Sequence, residues 1–193
     1  MQTLKVALDL DRVIFDTNTY FHSLEDRLHE VGKSFKEIFK DTPGRKSIDH
    51  LFDILKRDFH EVEIRQILFG DADSHMSKKM KSIAASVIAV GGDIFIVSVG
   101  NRYQLEKLVG FPHSKVFIVK GDGDKVEKAA AMGVDLFVDD KASVVKELRA
   151  RGVNALQALW FLDDEHQRDA LRDALRTPDE LEERIVKLLN TRK

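Results

Sequence analysis

The sequence predicts an α/β fold: a parallel sheet of about five strands with helices on both faces, and a small helical cap inserted after the first strand. Three observations predict it. Five short runs rich in Val, Ile, Leu and Phe read as buried strands. Helix-like segments that each end in glycine separate the last four, which is the alternation of a parallel sheet. A long stretch of mostly helical character separates the first run from the second.

Taken in order, the first strand is Leu4 to Leu10. About 80 residues then intervene, far more than a normal crossover needs. Tyr20 to Val31, Ile48 to Phe59, Glu61 to Phe69 and Ala72 to Val90 are the candidate helices there, and Leu51, Phe52, Leu55 and Phe59 fall on one helical stripe. Residues 17–76 are assigned to the inserted cap, and residues 1–16 and 77–193 to the core domain. The helix from about Ser77 returns to the core and feeds the second strand, Asp93 to Val97. The remaining strands are Lys115 to Val119, Asp135 to Val138 and Asn154 to Leu159. Helices are expected at Gln104 to Val109, Lys125 to Met132 and Ala142 to Arg151, closed by Gly110, Gly133 and Gly152. Asp163 to Lys193 reads as a charged helical tail, with a helix start at Thr177-Pro178.

Composition narrows the function classes. Of 193 residues, 43% are hydrophobic and 33% charged, and the formal net charge is -2. That balance suits a globular core and gives no overall attraction for a nucleic-acid polymer. The absence of cysteine excludes disulfides and thiolate metal sites. No apolar run is long enough to span a bilayer, and Asp9 and Asp11 interrupt the one at the N-terminus. A cytoplasmic protein with no membrane partner is expected, its oligomeric state left open. The histidines show no zinc-binding spacing.

Open parallel sheets bind ligands at the C-terminal ends of their strands. Those ends carry Asp9 and Asp11 after the first strand, Ser98 after the second, and Asp139 and Asp140 after the fourth, while Lys125 opens the preceding helix. Four converging carboxylates repel one another unless a divalent cation joins them, and ligands that are all oxygen favour magnesium. Phosphoryl transfer accounts for the whole set. Asp9 is the expected nucleophile and Asp11 the acid and base. Ser98 and nearby backbone N–H groups, that of Val99 among them, would hold a phosphate oxygen, and Lys125 would neutralise charge. Asp139 would hold the magnesium, with Asp140 helping directly or through water. Gly121-Asp122-Gly123-Asp124 lacks the ligands of a calcium loop and is expected to be a turn that positions Lys125. Arg102 stands just past Ser98 as a weaker substrate candidate. The aromatic residues Phe15, Tyr20, Phe35, Phe39, Phe52 and Phe59 are assigned by default to core packing.

Val6-Ala7-Leu8-Asp9-Leu10-Asp11, with Val13 to Thr17 behind it, resembles the first motif of the haloacid dehalogenase (HAD) superfamily. Ile94 to Ser98 resembles its second motif, Lys125 the lysine of its third, and Leu136 to Asp140 its fourth in the Asp-Asp form. The resemblance covers residues 4 to about 160. It implies a HAD-like Rossmannoid sheet of order 5-4-1-2-3 with a C1-type cap. It also implies magnesium held by Asp9, by the backbone carbonyl of Asp11 and by Asp139. The implied substrate is a small-molecule phosphomonoester, a nucleotide among the candidates, since the 5'(3')-deoxyribonucleotidase type is similar. A phosphotransferase with the same motifs and a non-catalytic HAD-fold binding protein are the alternatives. Arg12 departs from the glycine or threonine of many members, and two readings stay open for it: a substrate-phosphate ligand or a partner for a cap carboxylate. Lys141 stands where nucleotidases of that type often carry arginine.

Overall fold

The computed structural model describes residues 3–40, 48–100, 102–163 and 165–191, with only the backbone at 49, 102, 104 and 166. Its centre is one parallel sheet made of β1 (Lys5–Leu8), β2 (Asp93–Val99), β3 (Lys115–Val119), β4 (Leu136–Asp139) and β5 (Ala155–Gln157). The strand order is β3-β2-β1-β4-β5, which is the expected order read from the opposite edge. β1 is therefore central, with Leu8 beside Ile96 of β2 on one side and beside Val138 of β4 on the other. A strand with neighbours on both edges and helices on both faces has no surface to give to water. Accordingly Val6, Ala7 and Leu8 are all buried.

Alternation along the strands divides the core. Ala7, Val97 and Phe137 face α6 (Asp122–Met132) and α7 (Ala142–Ala150), where they meet Val126, Ala129, Val144, Val145 and Leu148. Val6, Leu8, Ile94, Ile96, Leu136 and Val138 face α5 (Lys78–Ala89) and α8 (Pro178–Asn190), through Met80, Ile83, Val87, Leu181 and Ile185.

The same apolar cluster continues into the inserted helices. These are α1 (Thr17–Glu30), the short α2 (Phe35–Ile38), α3 (Ile48–Leu55) and α4 (Glu61–Phe69). Tyr20, Leu24 and Leu28 lie at helical spacing on α1 and pack in one cluster with Leu51, Phe52 and Leu55 of α3 and Ile64 and Leu68 of α4. Entry and exit of the insertion run side by side. The Asp16 N–H donates to the His75 carbonyl at 2.8 Å, the Ser77 N–H to that of Ile14 at 2.9 Å, and Phe15 bridges to Met76. This pairing splits the helix expected over Ala72 to Val90. Met76 is extended, a 3-10 turn (Ala72–His75) precedes it, and Ser77 caps α5 by accepting from the Met80 N–H.

Two other elements differ from expectation. The segment after β2 is a 3-10 helix (Arg102–Leu108) rather than an α-helix. The charged tail is not continuous, because Leu175 pairs with the edge of β5: its N–H donates to Gln157 and its carbonyl accepts from Leu159. An edge strand left open would invite pairing with other chains. Among the described residues of that tail only α8 is a full helix, started as expected by the Thr177 hydroxyl, which accepts from the Glu180 N–H, and by Pro178 in the first turn. Among the described residues no helix is long and apolar enough to cross a membrane.

Asp71 ties the insertion together. Its Oδ2 accepts from Ser23, from the Arg27 guanidinium and from His75, so it joins α1 to the chain leaving α4. Burial alone would raise this carboxyl. The bonds from Ser23 and His75 and the charge of Arg27 outweigh burial and hold it below the usual range. Asp71→Ala is expected to cost about 1–2 kcal/mol in urea unfolding at neutral pH, a modest figure because solvent at its partly open edge screens the charges. A depressed carboxyl stabilises above its unfolded pKa and loses that contribution as pH falls through the folded value. The gap between wild type and Asp71→Ala should therefore close in acid, below about pH 4.

Candidate active site

Adjacent parallel strands place their C-terminal residues side by side, and here those residues are acidic. Asp9 follows β1, and its N–H continues the ladder by donating to the Val138 carbonyl at 2.9 Å. Asp139 is the last residue of β4, beside it. Asp9 is 4% exposed and Asp139 not at all. Each of Asp9, Asp139 and Asp140 offers a carboxylate oxygen within 4.8 Å of the others. Lys125 reaches them from the first turns of α6. It is 1% exposed, and its Nζ lies 2.8 Å from Asp9 Oδ2 and 2.8 Å from Asp139 Oδ2. The residues expected to form a turn before it are the start of α6 itself: Gly121 is its cap and Asp122 to Asp124 its first turn.

The charges do not balance. With an effective dielectric of about 20, each carboxylate pair at this spacing repels by roughly 3 kcal/mol and each lysine contact attracts by roughly 6 kcal/mol. Lys125 about offsets the mutual repulsion of three carboxylates, and the desolvation of four buried charges remains uncovered. Burial, with Asp139 and Asp140 adding to it against the pull of Lys125, pushes the Asp9 carboxyl up to about 8. Burial and Asp139 push Asp140 up to about 6. Lys125 moves the other way: burial opposes its charge, but Asp9 and Asp139 prevail and raise it. A cluster of three oxygen ligands with uncompensated negative charge fits a hard divalent cation such as magnesium.

Asp11 stands apart from this cluster. Its Oδ1 accepts from Thr17 Oγ1 at 2.8 Å and from Lys107 Nζ at 2.7 Å, so its carboxylate is not among the grouped metal-ligand atoms. The magnesium role that the resemblance implies for Asp11 is one for its backbone carbonyl, and the carboxylate is engaged elsewhere. Burial would raise its carboxyl, but the Lys107 charge and the two hydrogen bonds overcome that and lower it. Arg12 adopts φ 61, a left-handed conformation that costs a side-chain-bearing residue about 1 kcal/mol or more. Its guanidinium lies 3.6 Å from Asp140 Oδ2, so its partner is a carboxylate of the sheet edge and not one of the inserted helices. Ser98 is buried in β2, two residues beyond Ile96 and hence level with Leu10, and Val99 ends that strand. The Arg102 side chain lies outside the described residues. Lys141 pairs with both oxygens of Asp122 at 2.9 and 3.0 Å.

Lys107 and Gln157 carry no functional signal in the sequence, and Thr17, which ends the run resembling the first motif, carries none for its bond to Asp11. Gln157 is buried and donates to the Asp140 carbonyl at 2.9 Å while accepting from the Leu171 N–H, which pins the acidic edge to the tail. Lys107 follows Glu106 in what reads as an ordinary charged helix face, so no local signal marks it as buried. Of the aromatic residues assigned to core packing, Phe15, Tyr20 and Phe52 are fully buried, and Phe35 is only partly so.

No protein-family model and no curated protein sequence matches the chain. Solved structures do match its shape. A haloacid dehalogenase-like hydrolase from Burkholderia xenovorans superposes with a TM-score of 0.69 at 13% identity, over 98% of this chain and 99% of the other. A β-phosphoglucomutase from Clostridium difficile gives 0.57 at 14% identity, over 96% of each chain. A HAD hydrolase from Bacillus subtilis bound to magnesium gives 0.58 at 13%, over 94% of this chain and 97% of the other.

Two outcomes follow from this geometry. Magnesium should stabilise the fold against thermal unfolding, by about 2.7 kcal/mol at a hundredfold excess over its Kd, and Asp139→Asn should abolish that shift. Arg12→Gly removes backbone strain and a half-open ion pair of small worth. Its unfolding free energy should stay level or rise by up to about 1 kcal/mol; a clear loss would show that the Asp140 pair outweighs the strain.

Proposed function

With the haloacid dehalogenase-like fold as its frame, we propose that this chain is a magnesium-dependent phosphatase that hydrolyses a small phosphomonoester through an aspartyl phosphate on Asp9. One observation carries the reading: a single buried lysine bridges Asp9 and Asp139 at 2.8 Å each, beside Asp140, on the strand ends of a parallel sheet.

In this reading an Asp9 oxygen attacks phosphorus, the bond to the leaving oxygen breaks, and that oxygen takes a proton from Asp11. Water then attacks the aspartyl phosphate, Asp11 accepts its proton, and the bond between Asp9 and phosphorus breaks to release phosphate. Asp11 is held ionised before substrate arrives, which suits the second step; the first uses a proton gained with a phosphate monoanion. The Leu10 N–H donates to Asp9 Oδ1 at 2.8 Å and Lys125 to Oδ2, so the nucleophile is held at both oxygens. The Ser98 hydroxyl and the Val99 N–H are assigned to a phosphate oxygen. Magnesium, held by Asp9, Asp139, Asp140 and the Asp11 carbonyl, would supply charge neutralisation at the phosphate.

Residues 17–76 act as the cap over this edge. On α1, Phe21 lies one turn beyond Thr17 and so on the same side. Phe21, His22, Glu25 and Phe35 line a cleft of 360 Å³. Half-buried aromatic walls of this kind suit a flat substrate such as a nucleotide. The likeness to a phosphoglucomutase keeps transfer to a sugar hydroxyl as the second reading.

Asp9→Asn tests the proposal. Turnover of p-nitrophenyl phosphate with magnesium should fall at least about a thousandfold while the circular dichroism spectrum is unchanged. Retained activity would remove Asp9 as nucleophile. Phosphorylated product formed from an added alcohol, in place of free phosphate, would select the transferase.

A further inference from the structure

The function proposed above uses Asp9, Asp11, Ser98, Lys125 and the magnesium ligands, and leaves one buried cation unexplained. Lys107 is 2% exposed and belongs to the 3-10 helix that follows β2. Its ammonium lies 5.0 Å from the ring centre of Phe15 and 5.3 Å from that of Tyr20, both fully buried. Its hydrogen-bonded partner is Asp11 Oδ1. Two aromatic faces and one carboxylate make a closed seat for an ammonium. The segment bearing it is fixed from the inserted helices: Tyr103 stacks on Phe52 with centroids 4.5 Å apart, and Glu106 pairs with Arg65. A buried ion pair stabilises little beyond what an apolar residue of the same shape provides, so packing alone does not require a lysine here.

The direction of the contacts is informative. Thr17 and Lys107 both donate to Oδ1 of Asp11, and no described residue bonds to Oδ2. Asp11 keeps 30% of its side chain open while Lys107 is sealed behind it. The carboxylate is thus held by one oxygen and presents the other.

We propose that Lys107 is the positioning residue of Asp11, fixing Oδ1 so that Oδ2 is the oxygen that exchanges the proton in both chemical steps. This rests on the reading of Asp11 as acid and base. As the bond from phosphorus to the leaving oxygen breaks, the proton passes from Oδ2 to that oxygen. As water forms its bond to phosphorus and the Asp9 bond breaks, the proton of water passes back to Oδ2. Lys107 keeps its own protons throughout and touches neither substrate nor phosphorus.

The test compares Lys107→Met, Lys107→Gln and Lys107→Arg, each alone and with Asp11→Asn, on phenyl phosphate and p-nitrophenyl phosphate with magnesium. A poor leaving group depends on proton delivery and a good one much less. Lys107→Met should lower kcat about tenfold more for phenyl phosphate than for p-nitrophenyl phosphate, with KM changed less than twofold. Lys107→Arg should restore most of the loss, and Lys107→Met should add no further loss to Asp11→Asn. Equal losses on the two esters, or an undiminished loss in the Asp11→Asn background, would overturn the proposal. Full activity of Asp11→Asn on phenyl phosphate would instead remove the acid-base reading beneath it. Lys107→Gln, which keeps a neutral donor, carries the same comparison if the methionine variant does not fold. Crystal structures decide independently of turnover: the Asp11 carboxylate should leave its position in Lys107→Met or Lys107→Gln and keep it in Lys107→Arg, and an unmoved carboxylate in the neutral variants sinks the idea.

Discussion

Lys125 lies between Asp9 and Asp139, and the arrangement of the rest of the molecule follows from what that contact requires. Two carboxylates on neighbouring strand ends must be parallel and in register to share one ammonium. The register Leu8 beside Val138, with the Asp9 N–H on the Val138 carbonyl, provides that alignment. The ammonium must come from the side, and α6 delivers it from its first turns because Gly121 starts the helix there. The three groups are almost completely removed from solvent, where an ion pair gains most and a missing partner costs most.

The turn from Leu10 to Asp16 links this contact to the inserted helices. It leaves β1 at the acidic edge, and the N–H groups of Ile14 and Phe15 both return to the Leu10 carbonyl. Arg12 takes its left-handed conformation inside it. The indole of Trp160 donates to Val13 from the segment after β5, and Asn18 donates to Phe161. The first turn of α1 is thereby fixed relative to the sheet, and Thr17 in that turn reaches Asp11. Strain at Arg12 is tolerated because its surroundings hold the turn from both sides.

The sheet was legible because its signal is redundant: apolar runs, helical stretches and closing glycines repeat with one period, so an error in one element leaves the order intact. Asp9, Asp139 and Lys125 were legible because strand ends in a parallel sheet converge by topology, whatever the details of the loops. Lys107 and Gln157 were not, since each depends on a contact between elements distant in sequence. The break at Met76 was hidden for a similar reason. Its extended backbone is set by pairing with Phe15, and nothing around residue 76 records that partner. Arg12 marks the boundary between the two cases. An arginine in a left-handed turn leaves no trace in a one-dimensional pattern, and its pairing with Asp140 appears only once the turn is folded.

The pairing of charges across the edge decides where an added cation would be held in the proposed reaction. Lys107 answers Asp11, with aromatic rings shielding the ammonium from water. Arg12 leans on Asp140 across a longer, partly open gap of 3.6 Å. Among the described residues, Lys125 alone answers both Asp9 and Asp139. The unmatched negative charge is therefore concentrated at Asp9 and Asp139, not spread over the edge. In the proposed reaction a phosphate would bring further negative charge to the same point, and Coulomb repulsion between it and an anionic nucleophile would grow as water is excluded. A monovalent ion would cancel only the charge already in excess. A divalent cation leaves positive charge over to meet the phosphate, and the oxygen ligands that would hold it are the ones whose repulsion it relieves.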